Sequence, residues 1–245
     1  GDFTDSSGNG NDGTLISGTV DYINGVINQA ISLLNNTRLE INNPENVFTS
    51  GQTEMSVSFW INNLLSSKTS QTILRYRNSN VLIRYNYLND KKIEFYLEGG
   101  NIYLSLLNGI TSWTNIVFVA YNDIRKVYVN GIEDTENIEI NESGTLDDGF
   151  IHDDPINKFE FFNNSGYGEY VYCDLDDFRI YDKALTPTEI GYLANNMIKL
   201  EPQPIPDTPE YKVLTFTYQE PTPYIQMAEN TTGFGGWSHI KHLHK

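Results

Sequence analysis

The apolar residues of this chain recur with a period of two in many short segments, and this pattern constrains the fold more than any other feature. In residues 92–98, Ile93, Phe95 and Leu97 alternate with polar residues, and residues 56–61 show the same alternation. Successive side chains of a β-strand point to opposite faces, so each segment predicts a strand with one buried face. Because about ten such strands rarely stay in one open twisted sheet, we expect an all-β fold of two packed antiparallel sheets.

A single short helix is predicted towards the end of the β-rich region. Thr186 is a typical N-cap residue, Pro187 suits the first helical position, and Glu189 completes a capping box. The apolar stripe that follows consists of Ile190, Leu193, Ala194 and Met197. We therefore expect a helix over residues 187–197 that lies on the β domain.

The chain divides into a β domain, residues 1–199, and a tail of different composition. A Pro-rich linker of extended character spans residues 200–209. Residues 210–245 contain one strand-like run and are too few to bury a core alone. We expect the tail, residues 200–245, to dock either on the β domain itself or on a protein partner.

The charge balance argues against several classes of function. Lys and Arg number 16 against 32 Asp and Glu, which gives a net charge of −16. Nucleic-acid-binding surfaces neutralise phosphates with basic side chains, so we expect no nucleic-acid partner. No apolar run approaches the roughly 18 residues that span a bilayer, so we expect no membrane insertion. The single cysteine, Cys173, cannot form an internal disulfide, and the start at Gly1 without Met suggests a processed or excised chain.

Several stretches of the β domain form a combination that is more specific than any one of them. They are an opening loop (5–15), an alternating strand (55–61), a strand that begins with Trp (113–121), a Tyr-Val-Asn-Gly hairpin (126–131) and a closing strand with its helix (175–190). In order and spacing they resemble the laminin G-like family of the concanavalin A-like lectin superfamily. The resemblance implies a two-sheet antiparallel jelly-roll sandwich with one short C-terminal helix and an extended tail.

The resemblance also implies a non-catalytic, lectin-like module that binds a glycan. Sugars are held by an aromatic ring beneath their C–H face and by hydrogen bonds from Asn, Asp and Arg. The candidate side chains lie in two turns, with arginines nearby as donors: Tyr85, Tyr87 and Asn89; Asn163, Tyr167 and Tyr170; Arg75, Arg77 and Arg84. Scattered tyrosines are also ordinary on β-sheet surfaces, so this alternative stays open. Trp60 and Trp113 are interpreted as sheet-packing residues, with sugar platforms as the alternative.

The opening loop, residues 5–13, holds two Asp, two Asn and three Gly, and such oxygen-rich loops suit Ca²⁺. The first and last strands of a jelly roll commonly lie side by side, which would bring the closing strand to this loop. The resemblance therefore implies a candidate structural calcium site made of Asp5, Asp12 and Asp177. The alternative is that Asp5 and Ser7 simply satisfy the backbone of the turn.

Catalysis is not expected. Related folds include glycoside hydrolases, which need two carboxylates that flank the scissile bond, and their alternating Glu-x-Asp-x-Glu motif is missing from the sequence. Asp174 and Asp176 share one strand face, but they belong to the closing-strand motif. No nucleophile elbow, P-loop or His-Glu-x-x-His motif occurs.

The alternative function is a structural or adhesion component of a large assembly, such as a virion or phage particle, anchored by the C-terminal tail. The start without Met and the Pro-rich tail favour it. Both functions predict an extracellular location, on a cell surface or a virion surface.

Overall fold

The computed structural model describes twelve stretches of the chain: 3–42, 53–64, 70–76, 81–97, 100–106, 109–122, 124–142, 158–162, 169–195, 213–216, 225–228 and 239–242. The strands in these stretches are β1 (Gly13–Asn24), β2 (Gln29–Asn42), β3 (Glu54–Asn62), β4 (Gln71–Tyr76), β5 (Val81–Tyr85), β6 (Lys92–Leu97), β7 (Gly100–Ser105), β8 (Thr114–Tyr121), β9 (Ile124–Val129), β10 (Ile132–Glu133), β11 (Ile138–Glu142), β12 (Lys158–Phe161), β13 (Cys173–Tyr181), β14 (Val213–Phe216), β15 (Ile225–Ala228) and β16 (His239–His242). An α-helix, α1 (Pro187–Ala194), and a 3-10 helix, Tyr87–Asn89, accompany them.

The strands form two antiparallel layers. Layer 1 contains β10, β9, β8, β3 and β13 in that order, and layer 2 contains β12, β4, β5, β6, β7 and β11. Phe95 of layer 2 stacks on Phe118 of layer 1 with 4.8 Å between ring centroids, and Phe161 meets Phe178 edge-on at 5.3 Å. All four rings are buried. The predicted two-sheet jelly-roll sandwich is therefore confirmed.

The hairpin of β1 and β2 closes one side of the sandwich. Residues 31–33 of β2 pair with residues 173–175 of β13 in layer 1, whereas residues 39–42 pair with β12 in layer 2. β1 lies along the other edge of β2. The closing strand β13 therefore lies beside β2 and is separated from β1 by it.

The predicted helix begins where its capping box places it. The Thr186 hydroxyl accepts the Glu189 backbone N–H, and the Glu189 carboxylate accepts the Thr186 N–H at 2.7 Å. The helix ends at Ala194, three residues before the predicted end. Ile190 packs on the outer face of layer 1, in a small apolar cluster with Val117, Val119, Tyr128, Tyr181 and Leu185.

Part of the tail pairs with the β domain. β14 forms an antiparallel ladder with β13, so this segment docks on the domain itself. β15 and β16 pair with each other. Within the described stretches, no helix is long and apolar enough to cross a membrane.

Candidate functional site

The outer face of layer 2 is polar because its strands alternate. Ile83, Phe95 and Leu104 point into the core and are fully buried. Their neighbours in sequence point the other way, and the register places Arg84 of β5, Glu94 of β6 and Tyr103 of β7 side by side. The sheet thus arranges charged, amide and phenol side chains from separate strands in one surface.

A hydrogen-bonded network joins these side chains. The Glu94 carboxylate accepts a hydrogen bond from Arg84 Nε and another, of 2.9 Å, from Asn101 Nδ2. Asn101 Nδ2 also donates to the Tyr103 hydroxyl at 2.8 Å. Glu94 is 3% exposed, and a buried charge needs such partners to offset its desolvation.

The network retains one acceptor without a partner. Asn101 Oδ1 is buried and has no hydrogen-bond partner among the described residues. Burial and the nearby Glu94 carboxylate raise the pKa of Tyr103, although the bond from Asn101 opposes this rise. The Tyr103 hydroxyl also hydrogen-bonds to Glu94, and it therefore keeps its proton at neutral pH.

Tyr87 supplies an exposed aromatic ring beside the network. The guanidinium carbon of Arg84 lies 3.4 Å from the centre of this ring, in cation–π geometry. The ring belongs to the 3-10 helix Tyr87–Asn89, which follows a left-handed Asn86. Asn86 is buried and its side-chain oxygen accepts the Lys91 N–H at 2.8 Å. The ring is therefore held in place while it remains 37% exposed.

The structure separates the predicted glycan-binding residues. Tyr87 and Asn89 are exposed at the edge of layer 2, whereas Tyr85 is fully buried in the core. Tyr85 is the last residue of β5 and shares its inward face with Val81 and Ile83. The left-handed Asn86 then ends the strand, so Tyr87 does not continue this inward face. We therefore exclude Tyr85 from the site.

The second predicted turn is described only at its end. Asn163 and Tyr167 lie outside the described residues, and Tyr170 is half-buried. Its neighbour Glu169 accepts a hydrogen bond of 2.9 Å from the Thr72 hydroxyl, and Thr72 pairs with Arg84 across β4 and β5. The backbone at residue 170 thus lies at the same end of layer 2.

Sequence reasoning missed Glu94, Asn101 and Tyr103. Their signal was present, since each alternates with core residues in β6 or β7. Alternation marks them as outward-facing but does not reveal which strands are neighbours. Their assembly into one network is therefore visible only in the structure.

The predicted calcium ligands have other partners. The Asp5 carboxylate accepts the Ser7 N–H at 2.8 Å, the Ser7 hydroxyl at 2.7 Å and the Asn11 N–H at 3.0 Å. Asp12 accepts the Asp5 N–H at 2.8 Å. These contacts satisfy the backbone of the opening loop, as the alternative interpretation requires.

Asp177 lies away from that loop along the β1–β2 hairpin. It accepts a 2.7 Å hydrogen bond from Arg179 Nε, and the adjacent Asp176 accepts the N–H groups of Val26 and Ile27 in the hairpin turn. The opening loop precedes β1 and so lies at the other end of the hairpin. Within the described stretches, no three His, Cys, Asp or Glu side chains are grouped to hold a metal ion. These contacts do not fit an ion shared by the three aspartates, and calcium stays a prediction.

Comparison with known proteins agrees with this fold. A laminin G-like family model, described as the concanavalin A-like lectin/glucanases superfamily, matches residues 35–191. The chain belongs to this family. No curated protein matches it. The laminin G-like assignment covers the two layers and the start of α1, and leaves the tail without a counterpart.

Solved structures share the fold at low sequence identity. One is domain 4 of AbnA, a GH43 extracellular arabinanase from Geobacillus stearothermophilus, solved in complex with arabinotriose. The two sequences are 23% identical, the match covers 79% of this chain and 93% of that domain, and the TM-score is 0.56. Another is the receptor-binding domain of the botulinum neurotoxin C/D mosaic serotype. It is 20% identical to this chain, the match covers 81% of this chain and 49% of the toxin chain, and the TM-score is 0.60. A third is botulinum neurotoxin type C, whose entry into cells depends on interaction with two ganglioside molecules. It is 19% identical to this chain, the match covers 81% of this chain and 49% of the toxin chain, and the TM-score is 0.59. The chain spans about half the length of these toxin structures.

Proposed function

We propose that this laminin G-like chain is a non-catalytic carbohydrate-binding module and that the outer face of layer 2 binds the glycan. The observation that carries the proposal is the fixed Tyr87 ring beside the network of Arg84, Glu94, Asn101 and Tyr103. A sugar presents an apolar C–H face and a rim of hydroxyl groups. The Tyr87 ring can pack against the C–H face, and the donors and acceptors of the network can bind the hydroxyl groups.

The individual roles follow from the free atoms. A sugar hydroxyl can donate to Asn101 Oδ1, which has no partner among the described residues. A second hydroxyl can donate to the remaining lone pair of the Tyr103 hydroxyl oxygen. Arg84 lies on Tyr87 and binds Glu94 through Nε, so its guanidinium is held beside the ring. Because these groups are preorganised, little side-chain entropy is lost on binding.

The relatives support carbohydrate binding at the level of the fold. The arabinanase domain was solved with arabinotriose, and the type C neurotoxin interacts with gangliosides. We infer binding without turnover because the Glu94 carboxylate is engaged by Arg84 and Asn101, whereas a glycosidase needs two carboxylates that face its scissile bond. The arabinanase is extracellular, and this supports an extracellular location.

The test is a glycan array with the whole chain, followed by titration of the best ligand with variants. Tyr87→Ala and Asn101→Ala should each weaken binding about tenfold, as expected for about 1.4 kcal/mol of lost contact. Ile132→Ala is the matched control, because Ile132 is 75% exposed on β10 of layer 1. No ligand on a broad array, or ligands whose affinity is unchanged in Tyr87→Ala and Asn101→Ala, would reject the proposal.

A second candidate function is adhesion within a larger assembly through the tail. β15 and β16 form a separate two-stranded sheet that pairs with no other described strand, and a toxin domain of the same fold was solved with rat synaptotagmin II. Deleting residues 200–245 tests this role. Retained carbohydrate binding with loss of a protein partner or of oligomerisation supports it, and an unchanged assembly state contradicts it.

A further inference from the structure

The outer face of layer 1 carries a buried polar row. Asn115 of β8, Trp60 of β3 and Asp176 of β13 are direct cross-strand neighbours, so they lie side by side across three strands. Their exposed fractions are 0%, 8% and 3%. They face away from the core, because Phe59 and Ile61 on either side of Trp60 point into it.

Each member of the row has one polar atom without a partner. Asn115 Oδ1, Trp60 Nε1 and Asp176 Oδ1 are buried and form no hydrogen bond with a described residue. Ser58 Oγ and Asn62 Oδ1, on the same face of β3, share this property. Each unpaired buried group costs about 1–3 kcal/mol, and native proteins leave few of them. A bound polar partner on this face would satisfy these groups together.

The remaining atoms hold the row in position. Asp176 Oδ2 accepts the backbone N–H groups of Val26 and Ile27 at 2.7 Å each. Asn115 Nδ2 donates to the Phe59 carbonyl at 3.4 Å. Asp176 and Asn115 are thus fixed on either side of Trp60, and one oxygen of each is left over.

The three atoms without a partner alternate between hydrogen-bond acceptor and donor along the row. The Asn115 oxygen accepts, the Trp60 indole N–H donates, and the Asp176 oxygen accepts. Burial raises the pKa of Asp176 to about 6, and the Asp177 charge raises it further, against the lowering effect of the Ile27, Val26 and Asp177 backbone amides. Asp176 is therefore largely ionised at pH 7. A carboxylate ligand would be repelled by two of the three atoms, and an ammonium group could not accept from Trp60. Hydroxyl groups both donate and accept, and therefore satisfy all three.

We propose that the row of Asn115, Trp60 and Asp176 is a second binding site, which takes the hydroxyl groups of one sugar residue. It is separate from the face of layer 2, since the two faces lie on opposite outer surfaces of the sandwich. The half-buried turn that contains Val26 and Ile27 borders it on one side.

The indole N–H of Trp60 provides a direct readout. The whole chain, labelled with ¹⁵N, is titrated at pH 7 with L-arabinose, D-galactose, D-glucose or N-acetyl-D-glucosamine. Trp60→Phe assigns the resonance among those of the three tryptophans, and it removes the donor while keeping a ring. We expect a saturable shift of the Trp60 signal with at least one sugar, and affinity about fivefold to tenfold weaker in Trp60→Phe, as for one lost hydrogen bond.

Two further variants separate this site from the other face and from folding effects. Ile124→Ala, at a position that is 45% exposed on β9, is the control and should leave the affinity unchanged. Tyr87→Ala, on layer 2, should leave the Trp60 shift intact; if it abolishes that shift, the second site is rejected while the proposed function stands. A Trp60 signal that no sugar moves, or a crystal structure with sugar in which only ordered water contacts the three atoms, would also overturn the inference.

Discussion

Glu40 shows how a carboxylate stays charged on the outer face of layer 2 although it is 6% exposed. Burial alone raises its pKa, but hydrogen bonds from Lys158 and Arg38 outweigh this effect and lower the pKa below its ordinary value. Lys158 Nζ lies 2.7 Å from the Glu40 carboxylate, and Arg38 bridges from Glu40 to Glu160 at 3.1 Å. The ionised form of Glu40 is therefore stabilised by the charges of Lys158 and Arg38.

This network predicts a dependence of stability on pH. The pKa of Glu40 is lower in the folded than in the unfolded chain, so its contribution is complete above the unfolded value and is lost as pH falls through the folded one. We expect Glu40→Gln to be less stable than the wild type at pH 7, and the difference to shrink below about pH 4.5. Urea unfolding at several pH values measures this. Glu139→Gln, at an exposed pair with Lys92, is the control, and a difference that does not vary with pH contradicts the prediction.

Asp5 tests what stabilises the opening loop. Because its carboxylate accepts three hydrogen bonds from Ser7 and Asn11, Asp5→Ala should lower the free energy of unfolding by about 1–3 kcal/mol. Asp12→Ala loses the hydrogen bond from the Asp5 N–H and should lower the free energy of unfolding by less. Melting with Ca²⁺ and with EDTA tests the calcium prediction separately, because an ion bound only by the folded chain raises the melting temperature. Equal melting temperatures would remove calcium, and an unaffected Asp5→Ala would contradict the hydrogen-bonding role.

The β9–β10 hairpin and α1 show how two elements constrain each other. Asn130 and Gly131 have positive φ angles of 51° and 83°, as the predicted Asn-Gly turn requires. A Cβ on Gly131 would lie 2.9 Å from the Cβ of Ala194. The glycine therefore serves both the turn and the close approach of the helix.

Gly131→Ala and Gly8→Ala separate these two roles. Both glycines have φ near +82°, but nothing lies within 4 Å of a Cβ on Gly8. Both variants carry the backbone strain, and only Gly131→Ala must also displace α1. We expect Gly131→Ala to be destabilised by about 1–3 kcal/mol more than Gly8→Ala in chemical denaturation. Equal losses would show that the contact with α1 is unimportant.

At the scale of the whole molecule, one core joins both layers. Phe118 of layer 1 contacts Phe95 of layer 2 and Phe59 of its own layer. β2 adds a covalent link, because its two ends pair with different layers. Neither layer can bury its inner face without the other, so we expect the domain to unfold cooperatively.

Phe118→Ala tests this dependence. Loss of a buried ring at the contact between layers should cost about 3–5 kcal/mol. Ile124→Ala, 45% exposed on the neighbouring strand β9, should change stability by less than about 0.5 kcal/mol. Circular dichroism and tryptophan fluorescence should report the same midpoint in both variants. Separate midpoints, or a small effect of Phe118→Ala, would contradict a shared core.

Local sequence determined the elements of this protein. Alternation identified the strands such as β3 and β6, the Thr186–Glu189 capping box located the start of α1, and Asn130-Gly131 marked a hairpin. The laminin G-like motifs then predicted the sandwich that these elements form. Such features act over a few residues, and the backbone period or a capping hydrogen bond is sufficient to produce them.

Only the tertiary structure decided which side chains meet. The sequence grouped Tyr85 with Tyr87 and Asp177 with Asp5. The left-handed Asn86 that ends β5 separates the first pair, and the position of β2 separates the second. It gave no sign that Asn115, Trp60 and Asp176 lie side by side. The physical reason is that alternation specifies the face of each residue but not the neighbour of its strand. Those neighbours follow from pairing between distant segments, which the packing of the whole core selects.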